Sequence, residues 1–210
     1  MDGTHDSIEG SGRHDELDRA ALLDRWRALL SALSLYAPAH RVRVSAVAAL
    51  REIAARSPKV VAVYASDVAG LLDVEERRTR WEALSTLAVL AEDDPQSLAP
   101  VAEAVSGVLY QHESPAMHRL ALHVLNEISM ASDEARAQVW PLLDEALLLL
   151  RGEPEYPAVL ASVVLLLSAG IEETDHLWDY ALQDASDRRA RVRVLASQMR
   201  ELLSGEQACR

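Results

Sequence analysis

Apolar residues recur along this chain at steps of three and four. Val44, Val47, Leu50 and Ala54 form one stripe, Trp81, Leu84, Leu87 and Leu90 a second, and Leu122, Leu125 and Ile128 a third. Such steps place side chains on one face of a 3.6-residue helix, whereas a half-buried strand alternates every second residue. The helices also repeat in register. Ala46, Ala83, Ala121 and Ala161 lie 37, 38 and 40 residues apart, and Leu50, Leu87, Leu125 and Leu165 follow each of them one turn later. Ile53, Leu90 and Ile128 extend the column by a further turn, and Ser168 breaks it. Small Ala lets a neighbouring helix approach closely, and Leu fills the space behind it. A pattern held at near-constant spacing predicts a repeat architecture.

A second helix is predicted after each of these. Beyond Ser57-Pro58, Val61, Tyr64, Val68, Leu71 and Leu72 share one face; beyond Asp94-Pro95, Leu98, Val101, Val105, Val108 and Leu109 match them at a shift of 37. Asp before Pro is a helix start, because the carboxylate caps free amides and Pro has no amide to lose. The third copy aligns when Pro141 is laid on Pro100, which predicts a turn three residues longer; the fourth, DHLWDYALQDA, is short and degenerate.

The predicted unit is a helical hairpin of 37 to 40 residues, four times over. A helix from Asp15 to Tyr36 precedes the array, and one from Asp187 to Leu203 closes it. Residues 1–14, rich in Gly, Ser, Asp and His, are expected to form a disordered leader, 15–203 a single domain and 204–210 a frayed tail. The word RVRV occurs twice, at Arg41 and at Arg191. In the second occurrence Ala196 falls on Ala46 and Leu203 on Ile53, but Arg200 replaces Leu50. A polar residue in a core column suits a terminal cap that no next repeat covers.

Period, paired helices, Ala/Leu columns and the phrase ASDRRARVRVLA resemble HEAT repeats, within the wider armadillo-like class. The resemblance covers about Arg41 to Leu203. It implies an all-α fold, a right-handed α-α superhelix of about four hairpins plus capping helices, with the second helices lining a concave side. It also implies a binding scaffold rather than any particular activity.

Composition narrows the partners. The net charge is −12 and the isoelectric point about 5.0. An acidic chain repels phosphate backbones, so protein or peptide partners with basic residues are expected and nucleic acid is not. Cys209 is the only cysteine and is expected to be a free thiol. The polar N-terminus has no signal-peptide apolar stretch, and Val159 to Ala169 is too short to span a bilayer, so a cytoplasmic location is expected. Nothing in the sequence sets an oligomeric state.

Candidate chemistry is sparse. The clusters Arg41/Arg43, Arg77/Arg78/Arg80 and Arg188/Arg189/Arg191/Arg193 begin first helices, where cations oppose the helix dipole. Pairing with nearby acids gives them a structural role; an anion-binding rim is the alternative. His118 and His123 are five apart, off the spacing of a metal pair, with His112 in the preceding turn. The acid pairs Asp93-Asp94, Asp133-Glu134 and Glu172-Glu173 are expected to cap second helices. No residue pattern calls for a catalytic group, a cofactor or a metal. The second helices are more informative. Once the core stripe is subtracted, Ser66, Asp67 and Gly70, then Glu103, Gly107 and Tyr110, then Asp144 and Leu148, then Asp179 and Gln183 remain for the exposed face. One acid per repeat makes a ladder of Asp67, Glu103, Asp144 and Asp179, with Trp140 and Trp178 beside it as hot-spot candidates or as wedges between helices. Gly70 and Gly107 share one repeat position, where a close backbone approach would offset their cost in a helix. The expected function is therefore a non-enzymatic scaffold binding a protein or peptide on an acidic concave face. The alternatives are an enzyme or nucleic-acid-acting module on the same fold, DNA glycosylase-like or bilin lyase-like, or a structural subunit of a larger complex.

Overall fold

Helical periodicity becomes helix throughout. The computed structural model describes the backbone of residues 6–111, 113–171 and 174–208, with side chains for 20–111, 113–171 and 174–205, and contains no strand among them. The chain divides into two units, Met1–Asp94 and Pro95–Arg210. His112, the pair Glu172-Glu173 and Cys209 lie outside the described residues.

In the first unit α1 (Asp6–Ser34) packs on α2 (His40–Ala54), which packs in turn on α5 (Arg77–Asp93). Between α2 and α5 the second helix is broken into α3 (Pro58–Ala62), α4 (Ala65–Ala69) and a 3-10 turn over Gly70–Asp73. In the second unit a 3-10 segment (Pro95–Val101), α6 (Ala102–Gly107) and a 3-10 turn (Val108–Tyr110) are followed by α7 (Pro115–Ala131) and α8 (Asp133–Leu149). Next come α9 (Tyr156–Ala169), α10 (Leu177–Asp184) and α11 (Ala190–Ala208); α9 packs on α7, α8 and α11, and α10 on α11. Helix α1 starts at Asp6, upstream of the expected Asp15, and α11 runs to Ala208, past the expected Leu203.

The 37-residue repeat is a repeat of burial. Val61, Ala65, Val68, Ala69, Leu71 and Leu72 are buried, and so are Leu98, Ala102, Val105, Ser106, Val108 and Leu109, each 37 residues on. The backbone break repeats as well: Tyr64 (φ −105, ψ 10) and Val101 (φ −105, ψ 3) both leave the helical well at the same repeat position. Ala46, Ala83 and Ala121, with Leu50, Leu87, Leu125, Ile53, Leu90 and Ile128, are buried as the columns predict.

The fourth copy departs from its expected register. Leu165 is 36% exposed and Ala161 only half-buried, while Val159, Val163 and Leu166 are fully buried. Those three lie 38 residues after Ala121, Leu125 and Ile128, so the column continues at 38 and not at 40. Trp81 is also corrected: at 38% exposed it stands outside the stripe that begins at Leu84. The third second helix differs from the others. Only Ser132 separates α7 from α8, so the three extra residues before Pro141 extend the first turns of α8 rather than the connection. Helix α8 is unbroken and buries Val139, Leu143, Ala146 and Leu147 at α-helical spacing. That leaves Leu149, which the Pro alignment puts in the core, exposed.

RVRV recurs for a structural reason. The Arg43 guanidinium donates to the carbonyls of Ala37 (2.8 Å) and Pro38 (3.0 Å), six and five residues back. Arg80 does the same to Val74 (2.6 Å) and Glu75 (2.8 Å), and Arg193 to Asp187 (2.8 Å) and Arg188 (3.1 Å). One guanidinium nitrogen, Nη1, thus satisfies two carbonyls of the incoming loop with its two hydrogens. His118 holds the equivalent place in α7, its Nε2 3.2 Å from the carbonyl oxygen of Gln111. The third letter of both words is the loop clamp, and Arg43 also pairs with Glu76.

Candidate binding surfaces

Asp67 lies in the first unit and Glu103, Asp144 and Asp179 in the second, so the four ladder acids are divided between the units. In the first unit, Ser66, Asp67 and Gly70 all line one cavity of about 650 Å³. Glu75, Glu76 and Arg43 complete its charged lining, and Leu35, Tyr36, Leu71 and Val74 are among its apolar residues. Three carboxylates face one guanidinium there, and that guanidinium is committed to Glu76 and the loop carbonyls. Tyr36, largely exposed, donates its hydroxyl to Asp67, and the bonded carboxylate raises the phenol above its ordinary pKa. The site therefore offers an aromatic face beside net negative charge.

In the second unit the ladder position in α8 gathers an aromatic row. His176, the residue preceding α10, places Nε2 2.7 Å from Asp144 Oδ1 and stacks on Trp140 at 6.2 Å between ring centroids. Tyr180, one turn on in α10, meets His176 edge-on at 5.8 Å, and the Arg151 guanidinium lies 5.2 Å above the Tyr180 ring. Trp140 itself is 8% exposed, so it is wedged between helices. Trp178 is half-buried; Glu103 and Asp179 are exposed. The Tyr110 phenol is pushed up to about 12, first by burial and then by the charge of Glu145. His176 and Tyr180 were not singled out in the sequence, although their i, i+4 spacing beside Trp178 is a visible signal.

Other polar groups hold the fold. Asp184 is buried, accepting from the Tyr156 hydroxyl and from Arg151 (2.9 Å). Burial, followed by that carboxylate, lifts the Tyr156 phenol far above its usual value. Arg189 spans the loop, bonded to Asp187 and to the carbonyl of Glu153 (2.9 Å), with its guanidinium over the Tyr156 ring. Arg41, Arg78, Arg188 and Arg191 are exposed, and the acids nearby in sequence interleave with them. Of the acid pairs, Asp133-Glu134 occupies the first turn of α8, but Asp93 closes α5 and Ser132 supplies the α8 cap, accepting from Ala135 at 3.1 Å. Ser57 does not cap α3; its hydroxyl donates to Asp24. The glycine expectation fails too: a Cβ on Gly70 or Gly107 would meet nothing within 4 Å. His118 Nδ1 lies 3.5 Å from Glu155 and His123 Nδ1 3.7 Å from Glu127. Among the described residues no cluster of three or more His, Cys, Asp or Glu could hold a metal ion, and no helix is long and apolar enough to cross a membrane.

The fold is that of a helical repeat protein. The chain matches the crystal structure of an engineered protein, a Northeast Structural Genomics Consortium target, with a TM-score of 0.67 at 16% identity, covering 85% of this chain and 79% of that one. A designed armadillo repeat protein matches with a TM-score of 0.45 at 15% identity, covering 83% of this chain and 98% of the other. No family model matches the sequence, and no curated protein does.

Proposed function

We propose that this protein is a non-enzymatic, cytoplasmic scaffold that binds a protein or peptide carrying Lys or Arg through acidic surfaces on its second helices. The observation that carries this reading is the cavity at Asp67. Its carboxylates outnumber its cations three to one, and Tyr36 offers a ring face beside them, the combination that attracts a cationic side chain. Asp144, held by His176 next to Tyr180, gives the second unit a preorganised carboxylate of similar character. Glu103 and Asp179 extend the negative charge along the same set of elements. Trp178, half-buried and next in sequence to Asp179, is the remaining hot-spot candidate; Trp140 stacks on the His176 that holds Asp144.

Surface plasmon resonance against a peptide series of matched length, Arg/Lys-rich, neutral and Glu-rich, tests the reading. The cationic series binds, and binding weakens as salt rises. Asp67→Lys with Glu103→Lys and Asp144→Lys slows association, because surface charges act mainly on encounter rate. Equal binding of all three series, or kinetics unchanged in the reversed variant, refutes it. The Arg-rich helix starts supply the competing nucleic-acid reading; submicromolar, salt-sensitive duplex DNA binding would establish that instead.

A further inference from the structure

Helix α1 carries a second apolar face besides the one that packs on α2 and α3. Ala28 and Ala32 are buried, and so is Asp24, held by Arg56 (3.1 Å) and Ser57 (3.1 Å). Leu22, Trp26, Leu29 and Leu33 remain exposed, from 37% at Leu29 to 65% at Leu33. Their spacing of 4, 3 and 4 is the heptad seam by which one helix receives another. Leu23 and Leu30, also exposed, widen the seam on one side. An apolar patch this continuous on a surface helix marks an interaction site.

The ridge borders a groove of about 560 Å³ whose far wall is Val60, Val63 and Tyr64, with Arg25 and Lys59 among its lining. The charge around it runs against that of the chain. From Ala20 to Ser34 the sole acid is the buried Asp24, while Arg25 and Arg27 are exposed, and Lys59 is the single lysine of a protein whose net charge is −12. A second copy docked on this stretch would set cations against cations. A helix flanked by carboxylates would find complementary charge at Arg25 and Lys59 and an apolar seam between them.

We infer that the α1 ridge and its groove dock an amphipathic helix whose apolar face is bordered by Asp or Glu. Recognition is of the helix-in-groove kind: the apolar anchors fill the groove, and the two cations select the partner's charge and orientation. The site belongs to the first unit alone, and its groove shares no lining residue with the acidic cavity at Asp67, which selects the opposite charge.

The test uses the full chain and two fluorescein-labelled three-heptad peptides with the same leucine face, one flanked by Glu and one by Lys, read by fluorescence polarisation. The Glu peptide saturates, and the Lys peptide binds at least about tenfold more weakly at low salt, the gap narrowing as the Debye length shortens. Arg25→Glu with Lys59→Glu reverses the order. Trp26→Ser and Leu33→Glu, both at exposed positions and checked for native circular dichroism, each weaken the Glu peptide at least about tenfold, or about 1.4 kcal/mol. Equal affinity for the two peptides, or none for either, overturns the inference. So does a dimer by size-exclusion light scattering that Leu29→Glu dissolves, because the ridge would then belong to a second copy.

Discussion

Leu165 and Leu166 are neighbours of one residue type in one helix, and the structure sets them apart. Leu166 is fully buried and Leu165 is 36% exposed. Removing a buried Leu side chain to Ala loses its transfer free energy and leaves a cavity, together about 3–5 kcal/mol. At Leu165 roughly two-thirds of a full burial of about 1.5–3 kcal/mol is lost, and the space left opens to solvent, so Leu165→Ala costs about 1–2 kcal/mol. The difference of about 2 kcal/mol becomes a gap of roughly 1 M in urea midpoint at a slope of about 2 kcal/mol/M. Far-ultraviolet circular dichroism against urea reads it directly, with Leu166→Ala unfolding first. Should Leu165→Ala cost as much as Leu166→Ala, the fourth helix sits at the 40-residue register after all, and the 38-residue column is wrong.

Three further outcomes follow from the same packing. Gly70 (φ −58, ψ −17) and Gly107 (φ −54, ψ −29) are helical with free space for a Cβ, so Gly70→Ala and Gly107→Ala should each stabilise by about 0.5–1 kcal/mol in thermal melts; a loss at either would reveal a neighbour against that backbone. Tyr156→Phe removes the hydroxyl that donates to buried Asp184 and should destabilise by about 1–3 kcal/mol, whereas a neutral melt would mean that Asp184 does not rely on it. Hydrogen bonds from Arg189 hold the Asp187 carboxyl at about 2 against an ordinary 3.8. A carboxylate depressed in the folded state stabilises above its ordinary pKa and loses that contribution as pH falls from about 4 to about 2. Arg189→Gln should return the Asp187 titration, followed by carboxyl NMR, towards 3.8; an unmoved titration would assign the shift elsewhere.

The apolar steps along α2, α5 and α7 were enough to locate those helices and to name Ala46, Leu50, Leu87, Ala121 and Leu125 as core. Each lies in a stripe flanked by polar residues, so one face of the helix differs from the other and local composition alone selects the buried side. The 37-residue shift between the first two second helices was legible for the same reason, because their buried positions coincide one by one. The acid positions could be listed as surface, but not that Asp67 would share a cavity with Glu75 and Glu76 or that Asp144 would meet His176. Those pairs are 8 to 32 residues apart in the chain, and no local periodicity relates them.

In α9 the sequence runs Val-Val-Leu-Leu-Leu, apolar on every side, so hydrophobicity is the same all round and cannot choose a face. Neighbours choose it: α7, α8 and α11 cover Val159, Val163 and Leu166, and Leu165 is left towards solvent. Trp140 is decided in the same way, an amphipathic ring that serves equally at a surface or in a wedge until the His176 ring closes over it. Helix α1 is the converse. Its heptad ridge is fully written in the sequence, but that the ridge stays open could be known only once α2 had taken the opposite face, since a helix buries whichever stripe its packing partners reach.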